Sequence, residues 1–212
     1  MMSAKLLTFL TFFGIVAKLF ADDAVKVSVY YETLCSDSRA FITNQLYSTY
    51  KSIGSDIIAL ELIPYGNVFE INTTGTVVYS CQHGPQECYG NKVHGCALTL
   101  FPLDDTLNFI NCSEAAWTPV ANDTLHQCAI QAGISWARIE QCFSSGEAEK
   151  IFAANGEKTN SISPSFIPTI AFDGKFNQTY QDEALTDFKK IICRLIYNRS
   201  PACSRNDPFI VY

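Results

Sequence analysis

Nine cysteines lie behind an apolar leader in this chain of 212 residues, and an odd number cannot all pair within one molecule. In an oxidising lumen eight of them are expected to form disulfides and one to stay a free thiol. Such cross-links favour a fold whose elements can be stapled side by side. They also make the leftover sulfur the first candidate for chemistry.

The leader has Lys5 as a positive start, an apolar run from Leu6 to Ala17, and Leu19-Phe20-Ala21 before Asp22. That run is shorter than the roughly 20 apolar residues a spanning helix needs. Residues 1–21 are therefore read as a signal peptide, with a retained anchor as the alternative. No later stretch is long and apolar enough to cross a bilayer, so no transmembrane anchor is expected. Losing Lys5 and Lys18 leaves 13 of 15 basic residues against 21 acids, a net charge of about −8. An acidic chain without Lys/Arg blocks excludes ordinary nucleic-acid binding. Five Asn-x-Ser/Thr sequons, at Asn72, Asn111, Asn122, Asn177 and Asn198, predict a secreted glycoprotein.

The run Val25-Lys26-Val27-Ser28-Val29-Tyr30-Tyr31 alternates like a half-buried strand and leads into Cys35. A cysteine where a strand hands over to a helix sits at the helix's positive end. There the unpaired N–H groups and the macrodipole favour thiolate over thiol. Such sites bring a cysteine pKa from about 8.5 down to about 3.5–7.5, which permits reaction in an acidic lumen. Ser38 stands where a Cys-x-x-Cys site would carry its second sulfur. Its hydroxyl is expected either to donate to the Cys35 sulfur or to cap the helix. The competing reading of Cys35 is a structural half-cystine, with Cys203 as the spare thiol.

After Cys35, Ile42, Leu46, Thr49, Tyr50 and Ile53 recur at helical spacing up to Gly54. Ile57–Ile63 is nearly all apolar, as in a strand covered on both faces. Together these form a βαβ unit with parallel pairing. Residues from about 64 to 160 hold most of the cysteines and several helical stretches, clearest in Ser135–Cys142 and Glu147–Phe152. They read as a disulfide-tied helical insertion. Phe166 to Phe176 then reads as strand, Asp-Gly turn, strand. A last helix follows, with Thr179 as its cap and Leu185, Phe188, Ile192 and Leu195 as its stripe. Residues 198–212 form a loosely held tail. The order is that of an α/β, thioredoxin-like fold with a large disulfide-rich helical insertion. One domain is expected over residues 22–197. In that fold a proline opening the later strand faces the reactive sulfur, often through a cis bond. Ile167-Pro168 is the candidate, with an ordinary trans proline as the alternative.

Cys81-Gln82-His83-Gly84-Pro85-Gln86-Glu87-Cys88-Tyr89-Gly90-Asn91 through Cys96 fits the pattern C-Q-H-G-x-x-E-C-x-x-N-x-x-x-x-C. It resembles the signature of the gamma-interferon-inducible lysosomal thiol reductase (GILT) family. Tyr30 to Cys35 resembles that family's approach to its active site, and Phe166-Ile167-Pro168 its proline strand. The resemblance implies a thioredoxin-like fold, no cofactor, and reduction of protein disulfides in acidic endosomes or lysosomes. In vertebrates the family prepares antigens; elsewhere a link to host defence is implied. This chain departs from the family's Cys-x-x-Cys at Ser38, and some members resembling it share the serine.

A lone thiolate completes only the first exchange and stays joined to its target. The reading is therefore a monothiol reductase or isomerase of disulfide-containing proteins. An external small thiol, cysteine or glutathione, is the reductant. The alternative is a secreted binding protein that keeps the scaffold without redox turnover. Cys81, His83, Cys88, His94 and Cys96 have zinc-ligand chemistry, but spacings of seven and eight are unlike a finger's short pairs. Disulfides among Cys81, Cys88, Cys96, Cys112, Cys128, Cys142, Cys193 and Cys203 are expected instead, with pairing left open, and no metal is expected. His83 is read as satisfying a local hydrogen bond and the remaining carboxylates as solvated surface.

Overall fold

The computed structural model describes residues 24–73, 76–197 and 199–203. Strand β1, Val25–Tyr31, buries its odd-numbered residues and opens the chain as its alternation predicts. It runs into α1, a continuous helix of three segments, Ser36–Phe41, Ile42–Leu46 and Tyr47–Ile53, the middle one wound as a π-helix. Strand β2, Ile58–Pro64, returns parallel to β1 with Val27 opposite Leu60 and Val29 opposite Leu62.

The insertion begins with two strands where helix was expected. Among the described residues, strands β3, Val68–Thr73, and β4, Thr76–Cys81, pair only with each other as an antiparallel hairpin. Helices α2, Pro85–Leu100, α3, Leu103–Ala115, α4, Asn122–Ala132, α5, Trp136–Ser144, and α6, Glu147–Ile162, complete it. Strand β5, Thr169–Phe172, then pairs antiparallel with β1, and the short β6, Lys175–Phe176, adds to β5 across the Asp173-Gly174 turn. The main sheet has the order β2-β1-β5-β6. The chain is thus the expected α/β, thioredoxin-like sheet carrying a large insertion.

Helix α7, Gln178–Leu195, closes the fold against α1 and β5. Its Phe188 ring meets Phe41 edge-on at 5.3 Å. Full burial of a side chain such as Phe188 or Ile192 contributes about 1.5–3 kcal/mol. The cap of α7 is Asn177, whose Oδ1 accepts from the Tyr180 N–H at 3.0 Å, rather than Thr179. Asparagine is the stronger cap, and its short amide reaches the free N–H from one turn earlier. The start of the tail is also tied down: Pro201–Cys203 forms a 3₁₀ turn and Cys203 is disulfide-bonded to Cys193. The leader, Asn198 and residues beyond 203 lie outside the described residues.

Candidate active site

Eight cysteines pair as Cys81–Cys88, Cys96–Cys142, Cys112–Cys128 and Cys193–Cys203. Cys35 is the free thiol, and it is partly exposed. Cys203 is not the spare one. Because Cys81, Cys88 and Cys96 are bridged, none of them is available as a metal ligand.

Cys35 is itself the N-cap of α1. Its extended backbone turns the side chain back over the first turn, and Sγ accepts from the Ser38 N–H at 3.5 Å. On its other side Sγ lies 3.5 Å from the Ile167 carbonyl oxygen, just before the cis Ile167–Pro168 bond. Gln181 of α7 holds that proline loop: Nε2 donates to the Pro168 carbonyl at 2.7 Å, and Oε1 accepts from the Ile170 N–H at 2.8 Å. Sequence reasoning missed Gln181, which lies on a helix with no motif to mark it.

Ser38 is buried, and its hydroxyl faces away from both expected roles. Ser38 Oγ accepts from the Glu32 N–H at 3.4 Å, while Cys35 takes the capping position. The backbone of Ser38, not its side chain, donates to the sulfur. The helix starts three residues earlier than a capping Ser38 would require, which explains the difference.

The segment before Cys35 is braced by α2. The Thr33 N–H donates to Asn91 Oδ1 at 3.0 Å, and Asn91 Nδ2 donates to the Tyr65 carbonyl at 3.1 Å. One buried amide therefore joins the loops that follow β1 and β2. The contact is close: a Cβ on Gly90 would come within 2.6 Å of Thr33 Oγ1 and would also strike Val120. Gly66, at φ +70°, leaves room for the Glu32 side chain in the same way.

The reading of carboxylates as solvated surface fails at Glu32, Glu87 and Glu114, all buried. Glu32 Oε1 accepts from the Asn67 N–H. Among the described residues its Oε2 has no hydrogen-bond partner, and it lies 3.3 Å from His83 Nδ1. Burial is the main cause that pushes the Glu32 carboxyl up to about 7, helped by Glu87 and opposed by the Asn67 N–H and His83. His83 makes the local hydrogen bond expected of it, Nδ1 lying 2.6 Å from Glu87 Oε2, and its own N–H donates to Glu87 Oε1 at 2.9 Å. The spacing of His83 and Glu87 by four residues was a legible signal for that pair. Nothing local announced Glu32 as its third member.

His94 is enclosed in the core. Its Nδ1 accepts from the Tyr31 hydroxyl at 3.0 Å, and its Nε2–H donates to Ser113 Oγ at 3.0 Å. Burial draws the imidazole down to about 3, so the ring is neutral. Of the sequon asparagines, Asn72, Asn122 and Asn177 are exposed and Asn111 is half-buried.

A family model described as gamma interferon inducible lysosomal thiol reductase (GILT) matches residues 26–155. The chain belongs to the GILT family. It is 31% identical to GILT-like protein 1 of Drosophila melanogaster over 88% of this chain and 81% of that protein. It is 33% identical to the gamma-interferon-inducible lysosomal thiol reductase of Carassius auratus over 84% of this chain and 71% of that protein. Among solved structures, MdbA, a thiol-disulfide oxidoreductase from Actinomyces oris, matches with a TM-score of 0.60 at 14% identity, covering 85% of this chain and 83% of that one. DsbA from Mycobacterium tuberculosis matches with a TM-score of 0.55 at 13% identity over 84% and 85% of the two chains. These structural likenesses place the fold among thioredoxin-like proteins. The GILT signature residues Cys81, His83, Glu87, Cys88 and Asn91 are the ones that pin α2 against the approach to Cys35.

Proposed function

We propose that the protein is a thiol-disulfide oxidoreductase of the secretory pathway, delivered to the lysosome or secreted, that acts on protein disulfides through Cys35 alone. The observation that carries this reading is the position of the one unbridged sulfur. Cys35 is partly exposed, at a helix N-terminus and against the carbonyl that precedes a cis-proline. GILT relatives described as thiol reductases support it. Residues 1–21 are read as a cleaved leader, 22–197 as the catalytic domain and 198–212 as a tail. No helix among the described residues is long and apolar enough to cross a membrane.

In the proposed reaction the Cys35 thiolate attacks one sulfur of a target disulfide. The Cys35–target bond forms as the target S–S bond breaks, and the departing sulfur leaves as a thiolate that takes a proton from solvent. The Ser38 N–H faces the attacking sulfur, which suits it to steady the charge that returns when the mixed disulfide is broken. With serine at 38 the motif holds no resolving sulfur. A small thiol such as cysteine or glutathione attacks the Cys35 sulfur and frees the second target thiol. A second equivalent regenerates Cys35 as the small-molecule disulfide forms. The target gains two electrons and two protons, and two small thiols supply them. Attack by a thiol of the target itself gives isomerisation instead. A role in host defence follows only from the family.

The second reading, a binding protein without turnover, is favoured by the buried Ser38 itself. Assay of the mature chain with a disulfide-linked protein and free cysteine at pH 5 separates the two. Turnover that disappears in Cys35→Ser supports the enzyme; turnover equal to that of cysteine alone supports the scaffold. Iodoacetamide is expected to label Cys35 at pH 5, whereas a thiol that reacts only above pH 8 would favour the binding protein.

A further inference from the structure

Three side chains that the exchange chemistry does not use converge beside the Cys35 loop. Glu32 Oε2, His83 Nδ1 and a Glu87 carboxylate oxygen all lie within 4.8 Å of one another. The two glutamates are fully buried, and Glu32 Oε2 points at the imidazole without a hydrogen-bond partner of its own among the described residues. One His83 Nδ1 faces both carboxylates and carries at most one proton, which it can give to only one of them. The remaining buried acceptor calls for a proton or a cation.

We propose that Glu32, His83 and Glu87 form a binding site for a divalent transition cation of the Zn²⁺ type. One nitrogen and two carboxylate oxygens are a donor set that such ions accept, while Ca²⁺ takes six or more oxygens. Metal–ligand distances of about 2.0–2.2 Å place tetrahedral donors about 3.4 Å apart. The His83–Glu32 separation of 3.3 Å already fits, and the His83–Glu87 separation of 2.6 Å needs to open by under an ångström. The cation takes the place now held by the imidazole proton.

The site is held in place without metal. The Cys81–Cys88 disulfide closes the loop that carries His83 and Glu87, and the Asn67 N–H fixes the other oxygen of Glu32. The His83 side chain is 37% exposed, which leaves an entry path and an open fourth position. The spacing argument against zinc concerned cysteines and remains sound for them. The acid from the end of β1 completes this donor set, and only the fold brings it there. The inference does not depend on the proposed reductase activity, and its test does not read activity.

The test titrates the mature protein, with Cys35 carbamidomethylated so that no thiol can bind, with Zn²⁺ by calorimetry and with Co²⁺ by visible absorption at pH 7.5. One Zn²⁺ per chain is expected, weakened about tenfold or more in Glu32→Gln and in Glu87→Gln. Co²⁺ is expected to show d–d bands without thiolate charge transfer. His83→Ala alters a partly exposed side chain in a disulfide-closed loop, and it must weaken binding as well should either Gln variant fail to fold. Absence of stoichiometric uptake, the cluster holding only its proton, overturns the proposal. So does uptake that survives all three substitutions or that is lost in His126→Ala, which alters an exposed histidine on α4 beside Trp136.

Discussion

At position 38 the backbone and the side chain are committed in different directions: the N–H faces Cys35 Sγ, and the hydroxyl accepts from the Glu32 N–H. A sulfur placed there would lie in the first helical turn, at a spacing disulfides tolerate. Ser38→Cys is therefore expected to allow release of the target without added thiol, seen as turnover from a single charge of reduced enzyme. The variant also loses the hydroxyl's bond to Glu32, at a cost of about 1 kcal/mol. An unchanged need for external thiol would show that the site cannot close on itself. Parity among nine cysteines and a strand–helix boundary made Cys35 legible from the sequence. The task of Ser38 was not, because it depends on where the helix begins, and the cap falls on Cys35, three residues earlier. Glu32 was illegible for a different reason: the residues it packs against, Gly66, Asn67 and His83, lie more than thirty residues away in the sequence.

Helix α2 is where the family signature acts as an element. Its Asn91 joins two loops through two hydrogen bonds, and its Gly90 permits the close approach that those bonds need. Asn91→Ala would leave the Thr33 N–H and the Tyr65 carbonyl buried without partners. The expected loss is about 2–6 kcal/mol, since each of the two orphaned groups costs about 1–3. In a domain of this size that lowers Tm by about 4–24 °C in a thermal melt. Asn91→Asp keeps the acceptor for Thr33 and should lose less. Equal melting of both variants with the native chain would remove the brace from the account. The main elements were readable because β1 alternates, β2 is nearly all apolar and α7 carries an apolar stripe, although β2 is an edge strand that exposes Ala59 and Glu61 rather than one covered on both faces. The β3–β4 hairpin was not, because its strands are mostly exposed and pair with each other outside the main sheet, so no core pattern marks them.

Across the whole molecule, acid stability rests on groups that the fold keeps neutral or shares. Three disulfides lie within the insertion and a fourth ties the tail to α7, so the chain does not depend on surface charge to stay closed. His94 pulls the other way. Its imidazole sits near 3 in the folded state against 6.5 when exposed, so the unfolded chain takes up the proton first. The stability it supports is full above about 6.5 and is lost as the pH falls toward 3. Between pH 6.5 and 5 the loss is about 2 kcal/mol, or about 4–8 °C in Tm. Tyr31 and Glu114 are the titratable groups that face the ring, Glu114 Oε1 lying 3.7 Å from Nδ1. Burial pushes the Glu114 carboxyl up and Arg39 draws it back, so it opposes the His94 trend in acid. His94→Gln keeps an acceptor for Tyr31 and a donor for Ser113 but cannot take up the proton. Both proteins share Glu114, so the gap between their melting temperatures isolates the imidazole. That gap is expected to narrow as the pH falls from 7 to 5, and a gap that stays constant would mean His94 titrates alike in the folded and unfolded chains.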